Sequence, residues 1–416
     1  MADVTRSIGL SLGADICWPI AFTKILERLE LAIPFEGDTV RFDVERMTID
    51  PFRLRDPRRY DVVIDRLTHW YSTRREWIKK DVILNDLYVF NNPWSVQSME
   101  KLTTYAGMMH LGFPIPETWL VPPHSYEDVA DLEVTLHRYA KHFDLGAIGR
   151  ELGYPMFMKP YDGGGWRAVT RIENEEQLRT AYDASGKFVM NLQKAIDPYD
   201  RFVRCVGLGP QARIVLYDPS APHHDRYTMK QECEFVEPDE ARLIREMTMV
   251  INSFFGWDFN SCELLRQDTT WWAIDFANPC PDSQVTSLHY HFPWLIKANL
   301  RWALFCATTR RRMVPLDWNR FFDLVDEEMT LRERLDALMP LVNERFQTER
   351  FEEFCSDHLS HLDEVADAFF TTDEARDAVR AKVAALFPAH EVEEFTQLFW
   401  DRIQTWRAQE SVGAGT

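Results

Sequence analysis

The chain has 416 residues, is 45% hydrophobic with 27 Phe and 14 Trp, and carries a formal net charge of −19. These values exclude an intrinsically disordered chain and predict roughly two to three packed domains or subdomains. The acidic balance argues against a general affinity for nucleic acid or an anionic membrane surface, although it leaves room for a local basic pocket.

SIGLSL at 7–12 reads as a first buried strand, and a helix is expected over Ile20–Leu31. TVRFDV at 39–44 is β-like, DVVIDRLTHWY at 61–71 is a strand running into a charged helical segment, and YVFNNP at 88–93 is a further strand. SVQSMEKLTTYAGMMHLG then has helical periodicity that stops near Gly112. Strands alternating with helices predict an α/β domain with a mainly parallel sheet. From about Trp119 to Phe188 a smaller α+β unit follows. Residues 202–218, 227–236, 260–267 and 271–277 read as strands of a second sheet, with a helix over 238–255. Helical patterns dominate from Leu288 to Arg407, and SVGAGT is expected to be a flexible tail.

No apolar run of about 18 residues occurs, and the first residues lack a basic segment leading into one, so a cytoplasmic location is expected. The seven cysteines (17, 205, 233, 262, 280, 306 and 355) are scattered and form no CxxC pair, as expected for reduced thiols.

The stretch GYPMFMKPYDGGGWRAV, Gly153 to Val169, is the most informative. It reads as an apolar strand ending in Lys159-Pro160, a loop with Gly163, Gly164 and Gly165, and a second strand. A lysine at a strand end supplies a point charge, and bare backbone N–H groups close around phosphate oxygens without a Cβ in the way. A second stretch, CELLRQDTTWWAIDFANPCPD at 262–282, reads as two strands joined by a turn near Gln267–Asp268. That pairing puts Glu263 and Asp275 on neighbouring strands with Asn278 just beyond, inside apolar flanks. Two carboxylates and an amide oxygen are the hard donors that Mg²⁺ takes when it bridges phosphates.

Over roughly residues 85–282 the order of these pieces resembles the ATP-grasp superfamily, nearest to its glutathione-synthetase-like carboxylate–amine ligases. The resemblance implies an ATP-grasp fold in four segments: an N-terminal α/β domain (1–118), a small α+β subdomain with the Gly-rich loop (119–200), a metal-binding sheet subdomain (201–300) and a helical extension with its tail (301–416). It makes Lys101 and Lys159 nucleotide-contacting lysines, DGGGWRAV the phosphate-covering loop, and Met190, Asn191 and Leu192 the hinge that hydrogen-bonds adenine. Gln193 and Asp200 compete for the ribose, Lys230 is a further phosphate-contacting lysine, and Glu263, Asp275 and Asn278 are the magnesium ligands. The chain departs from the family where Glu-x-Asn is replaced by Asp275-Phe-Ala-Asn278. Residues i and i+3 of a regular strand face opposite sides, so a bulge or strand end must intervene if both bind metal. Asp258 also competes with Glu263.

Arg204, Arg213 and Arg266 lie on expected strands of the second sheet and are candidates, with Lys230, to stabilise a charged intermediate. Arg167 follows the glycines. His289-Tyr-His291, His223-His224 and Arg310–Arg312 read as structural or solvent-facing groups rather than metal or nucleic-acid sites.

The resemblance implies an ATP- and Mg²⁺-dependent ligase that joins a small-molecule or peptide carboxylate to an amine through an acyl phosphate, ADP being released. The N-terminal third is also reminiscent of inositol-phosphate kinases of the same superfamily, which keeps a kinase as the alternative. A non-catalytic ATP-binding protein is the third reading. The amphipathic C-terminal segments LRERLDALMPLVNERF and EVEEFTQLFWDRIQTWR fit a cap, a homodimer surface or an extended core.

Overall fold

The computed structural model describes residues 2–48, 50–68, 71–96, 100–139, 141–161 and 168–413. The chain divides into two compact units, Met1–Gln97 with Val203–Ser261 and Pro279–Thr416, and Ser98–Phe202 with Cys262–Asn278. This division cuts across the four consecutive segments expected, because short excursions of the chain return to a unit begun much earlier. Strands in chain order are β1 (Asp3–Ser11), β2 (Ile33–Phe35), β3 (Asp38–Arg46), β4 (Val62–Asp65), β5 (Tyr88–Phe90), β6 (Thr118–Val121), β7 (Met156–Pro160), β8 (Thr170–Ile172), β9 (Met190–Lys194), β10 (Arg201–Leu208), β11 (Gln211–Leu216), β12 (Phe259–Gln267) and β13 (Thr270–Asp275).

The first unit holds a sheet of order β2-β3-β1-β4-β5, parallel except for the β2–β3 hairpin. The end of β1, all of β4 and all of β5 are buried, as expected of central parallel strands covered on both faces. The helix Cys17–Leu29 buries Trp18, Phe22, Ile25 and Leu29, a spacing of three and four that aligns one face. The helix Phe292–Thr308 packs on β1 and β4 and is buried along most of its length. The helix Asp373–Ala384 packs on Cys17–Leu29 and on the helix Val392–Gly413. The C-terminal third is therefore core of the first unit. The last helix continues to Gly413, so the expected tail is helical through Ser411, Val412 and Gly413.

Strands β10 and β11 of this unit form an antiparallel hairpin. The expected strand at 227–236 is absent. A single Tyr217–Tyr227 bridge and a 3₁₀ turn at Glu232–Glu234 stand there, where the Gln231 and Glu234 side chains reciprocally cap the turn and divert its backbone from a ladder.

The second unit holds an antiparallel sheet of order β6-β9-β7-β8. Its alternation is strict. Met156, Met158, Met190, Leu192 and Val121 face the helices Leu145–Leu152 and Glu175–Ser185 through Leu145, Leu152 and Leu178. Asp144 and Asn174 cap those helices by accepting from Ala147 N and Gln177 N. The opposite face, with period two, receives Lys159, Asn191, Gln193 and Thr118. β12 and β13 form a hairpin whose register pairs Glu263 with Asp275.

Gly209 closes the β10–β11 turn at φ +56°, and a Cβ there would meet the Trp302 ring at 2.4–2.9 Å. Trp302 is fully buried and has nowhere to yield. Gly209→Ala is expected to lower unfolding free energy by about 2–4 kcal/mol, read as an earlier urea midpoint.

Candidate functional site

The polar face of the second unit's sheet is built around Lys159. The apolar Met156 and Met158 fix the strand's parity, and that parity turns Lys159 away from the core helices. Its ammonium donates to Tyr105 Oη at 2.8 Å, Gln193 Oε1 at 2.7 Å and the Ile274 carbonyl at 3.1 Å. The residue is only 7% exposed. Burial pushes its pKa down to about 7; Asp275 opposes that, Lys101 adds to it, and Glu263 opposes it weakly. Gln193 is in turn held by its own amide, which donates to Thr118 Oγ1 at 2.9 Å.

Beside it, Lys101 begins the helix Lys101–His110 and donates to Asp275 Oδ2 at 2.6 Å. The two side chains are 5% and 22% exposed, so the pair is well shielded from water. Asp275 is the last residue of β13, and Asn278 Nδ2 lies 3.4 Å from its other oxygen. The strand end supplies the change of direction that Asp275-Phe-Ala-Asn278 needs. A register shift also falls between Glu263 and Leu264.

Glu263 and Asp275 are thus opposed across the hairpin, with Glu263 buried. Among the described residues no three His, Cys, Asp or Glu side chains gather as a metal cage. The donor set is two carboxylates and one amide, all hard oxygen ligands, which fits Mg²⁺ held jointly with phosphate oxygens.

Tyr105 is a site residue that the sequence reading did not name. It stands four residues after Lys101, on the same helix face, and its hydroxyl bridges Lys159 to the Ile274 carbonyl, to which it donates at 2.8 Å. That i,i+4 spacing was a usable signal.

Other candidates are placed differently. β9 lies between β6 and β7, so the backbone groups of Met190, Asn191 and Leu192 are taken up by two ladders. Met190 and Leu192 also turn their side chains into the apolar core. A backbone hinge for a base does not fit these three residues. Asp200 and Arg266 pair with each other, Arg266 Nε donating to Asp200 Oδ1 at 2.9 Å, and that bond holds the Asp200 carboxyl below its ordinary range. Gly163, Gly164, Gly165 and Arg167 lie outside the described residues.

Arg204, Arg213 and Lys230 belong to the first unit. Arg204 donates to the Tyr227 hydroxyl and lies over the Tyr217 and Tyr227 rings. Arg213 Nε donates to His291 Nδ1 at 3.0 Å, and His291 Nε2 contacts the Thr228 carbonyl at 2.8 Å. Lys230 is exposed on the segment that is not a strand. Asp258, the competitor of Glu263, accepts from Arg345 at 3.0 Å, from Trp302 Nε1 at 3.2 Å and from the Tyr88 hydroxyl. With both oxygens occupied in a buried network, it is a scaffold carboxylate.

No family model and no curated protein matches the sequence. The chain is similar to solved structures of low identity. D-alanine–D-alanine ligase from Bacillus anthracis is 13% identical, with a TM-score of 0.47 over 85% of this chain and 99% of that one. VanG D-Ala:D-Ser ligase from Enterococcus faecalis is 12% identical, with a TM-score of 0.46 over 82% and 100%. A RimK-domain ATP-grasp protein from Sphaerobacter thermophilus is 12% identical, with a TM-score of 0.42 over 67% and 92%.

Lys159 links protonation to stability with a definite sign. Its folded pKa is about 7 against the ordinary lysine value of 10.5, so between these values the unfolded chain binds the extra proton. Stability from this group therefore rises with pH above about 7 and is least below it. Lys159→Met is expected to lose that slope: its stability relative to wild type falls by about 1 kcal/mol per pH unit between pH 7.5 and 9.5, measured by urea denaturation.

Proposed function

We propose that the protein is an ATP- and Mg²⁺-dependent carboxylate–amine ligase of ATP-grasp type. One observation carries the nucleotide half of the reading: Lys159 and Lys101 converge with the opposed Glu263–Asp275 pair on one polar surface of the second unit. Two lysines beside two carboxylates are the complement of a metal–triphosphate, since each charge has a counterpart of opposite sign. Lys101 and Asp275 neutralise one another here, and each matches a different component of that ligand.

In the reaction proposed, the γ-phosphoryl passes to a substrate carboxylate, giving ADP and an acyl phosphate. An amine then attacks the acyl carbon and releases phosphate, leaving an amide and a proton. Lys159 and Lys101 hold phosphate oxygens, and the three acceptors around Lys159 fix its ammonium before the nucleotide arrives. Glu263, Asp275 and Asn278 would hold Mg²⁺, which neutralises phosphate charge when bound.

The test is Mg²⁺-ATP turnover with product masses, using pooled carboxylates with amines and, separately, pooled polyols and sugar phosphates. ADP with a product equal to both substrates minus water is expected. A product heavier by one phosphate would replace the ligase with the kinase. Glu263→Gln is expected to reduce turnover at least about 100-fold while leaving ATP binding within about tenfold, and Lys159→Met to reduce ATP affinity at least about 100-fold. An absence of ATP binding by the wild-type protein would overturn the reading.

A further inference from the structure

Lys101 and Asp275 hold each other in a place where each has a second use. Lys101 opens the helix Lys101–His110, and its backbone N–H donates to the Tyr161 carbonyl at 2.8 Å, one residue past β7. A cation in the first turn lies at the unfavourable end of the helix dipole, which makes an anion against it stabilising. Asp275 is that anion. Its Oδ2 accepts from Lys101 Nζ at 2.6 Å, the lysine side chain being 5% exposed and the aspartate 22%.

The groups around Asp275 are arranged for this pair and not for a metal. Asn278 turns its amino group toward Oδ1 at 3.4 Å, so its nitrogen and not its oxygen faces the carboxylate. Glu263 stands opposite Asp275 across the β12–β13 hairpin. A divalent cation takes oxygen donors, so it gains Asp275 Oδ2 only as Lys101 leaves and the Asn278 oxygen only as that amide turns over. The free protein thus matches its charges with the same groups that the nucleotide and the metal would use.

Either ligand alone meets a penalty there. A bare divalent cation on Asp275 would deprive the buried Lys101 ammonium of its carboxylate and put a dication beside it. A metal-free triphosphate on Lys101 would take the lysine from Asp275 and face that carboxylate with charge of its own sign. Splitting a shielded pair by satisfying one partner is costly, because the other charge is left behind. When both ligands arrive, phosphate meets Lys101 and metal meets Asp275. The coupling is reciprocal: each ligand raises the affinity of the other by the same factor.

We propose that the Lys101–Asp275 pair is a latch that keeps a bare divalent cation and a metal-free triphosphate each out of the site and admits the two together. It rests on the nucleotide site of the ligase reading, but its signature is in binding and not in turnover.

The experiment measures binding to the full chain of Mn²⁺ alone, by electron paramagnetic resonance of the free ion, and of ATP in EDTA and at saturating Mn²⁺, by calorimetry. Asp275→Asn keeps an acceptor for Lys101 and is expected to bind ATP in EDTA at least about tenfold more tightly than wild type. Glu263→Gln removes the same charge from the carboxylate across the hairpin and should gain less than a third as much. Lys101→Met should bind Mn²⁺ alone at least about tenfold more tightly than wild type, and Lys101→Arg, which remakes the pair, should not. Should Lys101→Met fail to fold, Asp275→Asn carries the test. Where wild type binds ATP at saturating Mn²⁺, an equal gain in Glu263→Gln or no gain in a folded Asp275→Asn protein would overturn the latch. Wild-type Mn²⁺ binding as tight without ATP as with it would overturn it too. A Mn²⁺ gain in Lys101→Met, with no ATP binding by wild type under any condition, would keep the latch and remove the ligase reading instead.

Discussion

A lysine buried among oxygen acceptors governs the second unit. Taking an ammonium out of water is costly unless its protons are matched, and Lys159 has Tyr105, Gln193 and the Ile274 carbonyl within hydrogen-bond reach. Each acceptor comes from a different element: the helix Lys101–His110, the neighbouring strand β9, and β13 of the hairpin. One side chain therefore ties helix, sheet and hairpin together. The same contacts set where Lys101 meets Asp275, because Tyr105 and Lys101 share a helix and Ile274 precedes Asp275. The charge arrangement read as a phosphate site is thus a consequence of burying Lys159.

Buried charges in the first unit are matched by the same accounting of hydrogen bonds. Asp258 has donors on both oxygens from Arg345, Trp302 and Tyr88, and Arg311 in turn donates to Tyr88 at 2.9 Å. Asp65 is likewise saturated. Such groups specify packing, and removing a partner would leave an uncompensated charge. Asp15 is held by Arg66 Nη1 at 3.2 Å and by the Trp18 backbone, both opposing the upward push of burial on its pKa. All three are nearly inaccessible to water.

The sequence made legible whatever depends on strand parity and on turns. An apolar strand ending in Lys159 and two apolar runs around a polar turn suffice to predict the strand of Lys159 and to put Glu263 and Asp275 on neighbouring strands; the turn's register alone would oppose Glu263 to Ile274, and the shift between Glu263 and Leu264 brings it opposite Asp275. Several elements of the first unit were readable from their buried runs to within a few residues, as with the helix expected at Ile20–Leu31 and found at Cys17–Leu29. What escaped depends on neighbours distant in sequence. Nothing local says that β9 is an inner strand, yet that position takes up the main-chain groups of Met190–Leu192. The 227–236 segment has strand-like composition, but reciprocal capping by Gln231 and Glu234 turns it aside. Lys382 looks like any solvated helix lysine until the packing of its helix removes it from water.

The difference between a ligase and a kinase on one nucleotide scaffold lies in what accepts the phosphoryl group and whether a second nucleophile is held. The cluster around Lys159, proposed as a metal–triphosphate site, would serve either reaction, so it does not discriminate. Discrimination has to come from charges that suit the other substrates. A hydroxyl acceptor asks only for hydrogen-bond partners, whereas a carboxylate and an amine held together ask for a cation beside the first and an acceptor beside the second.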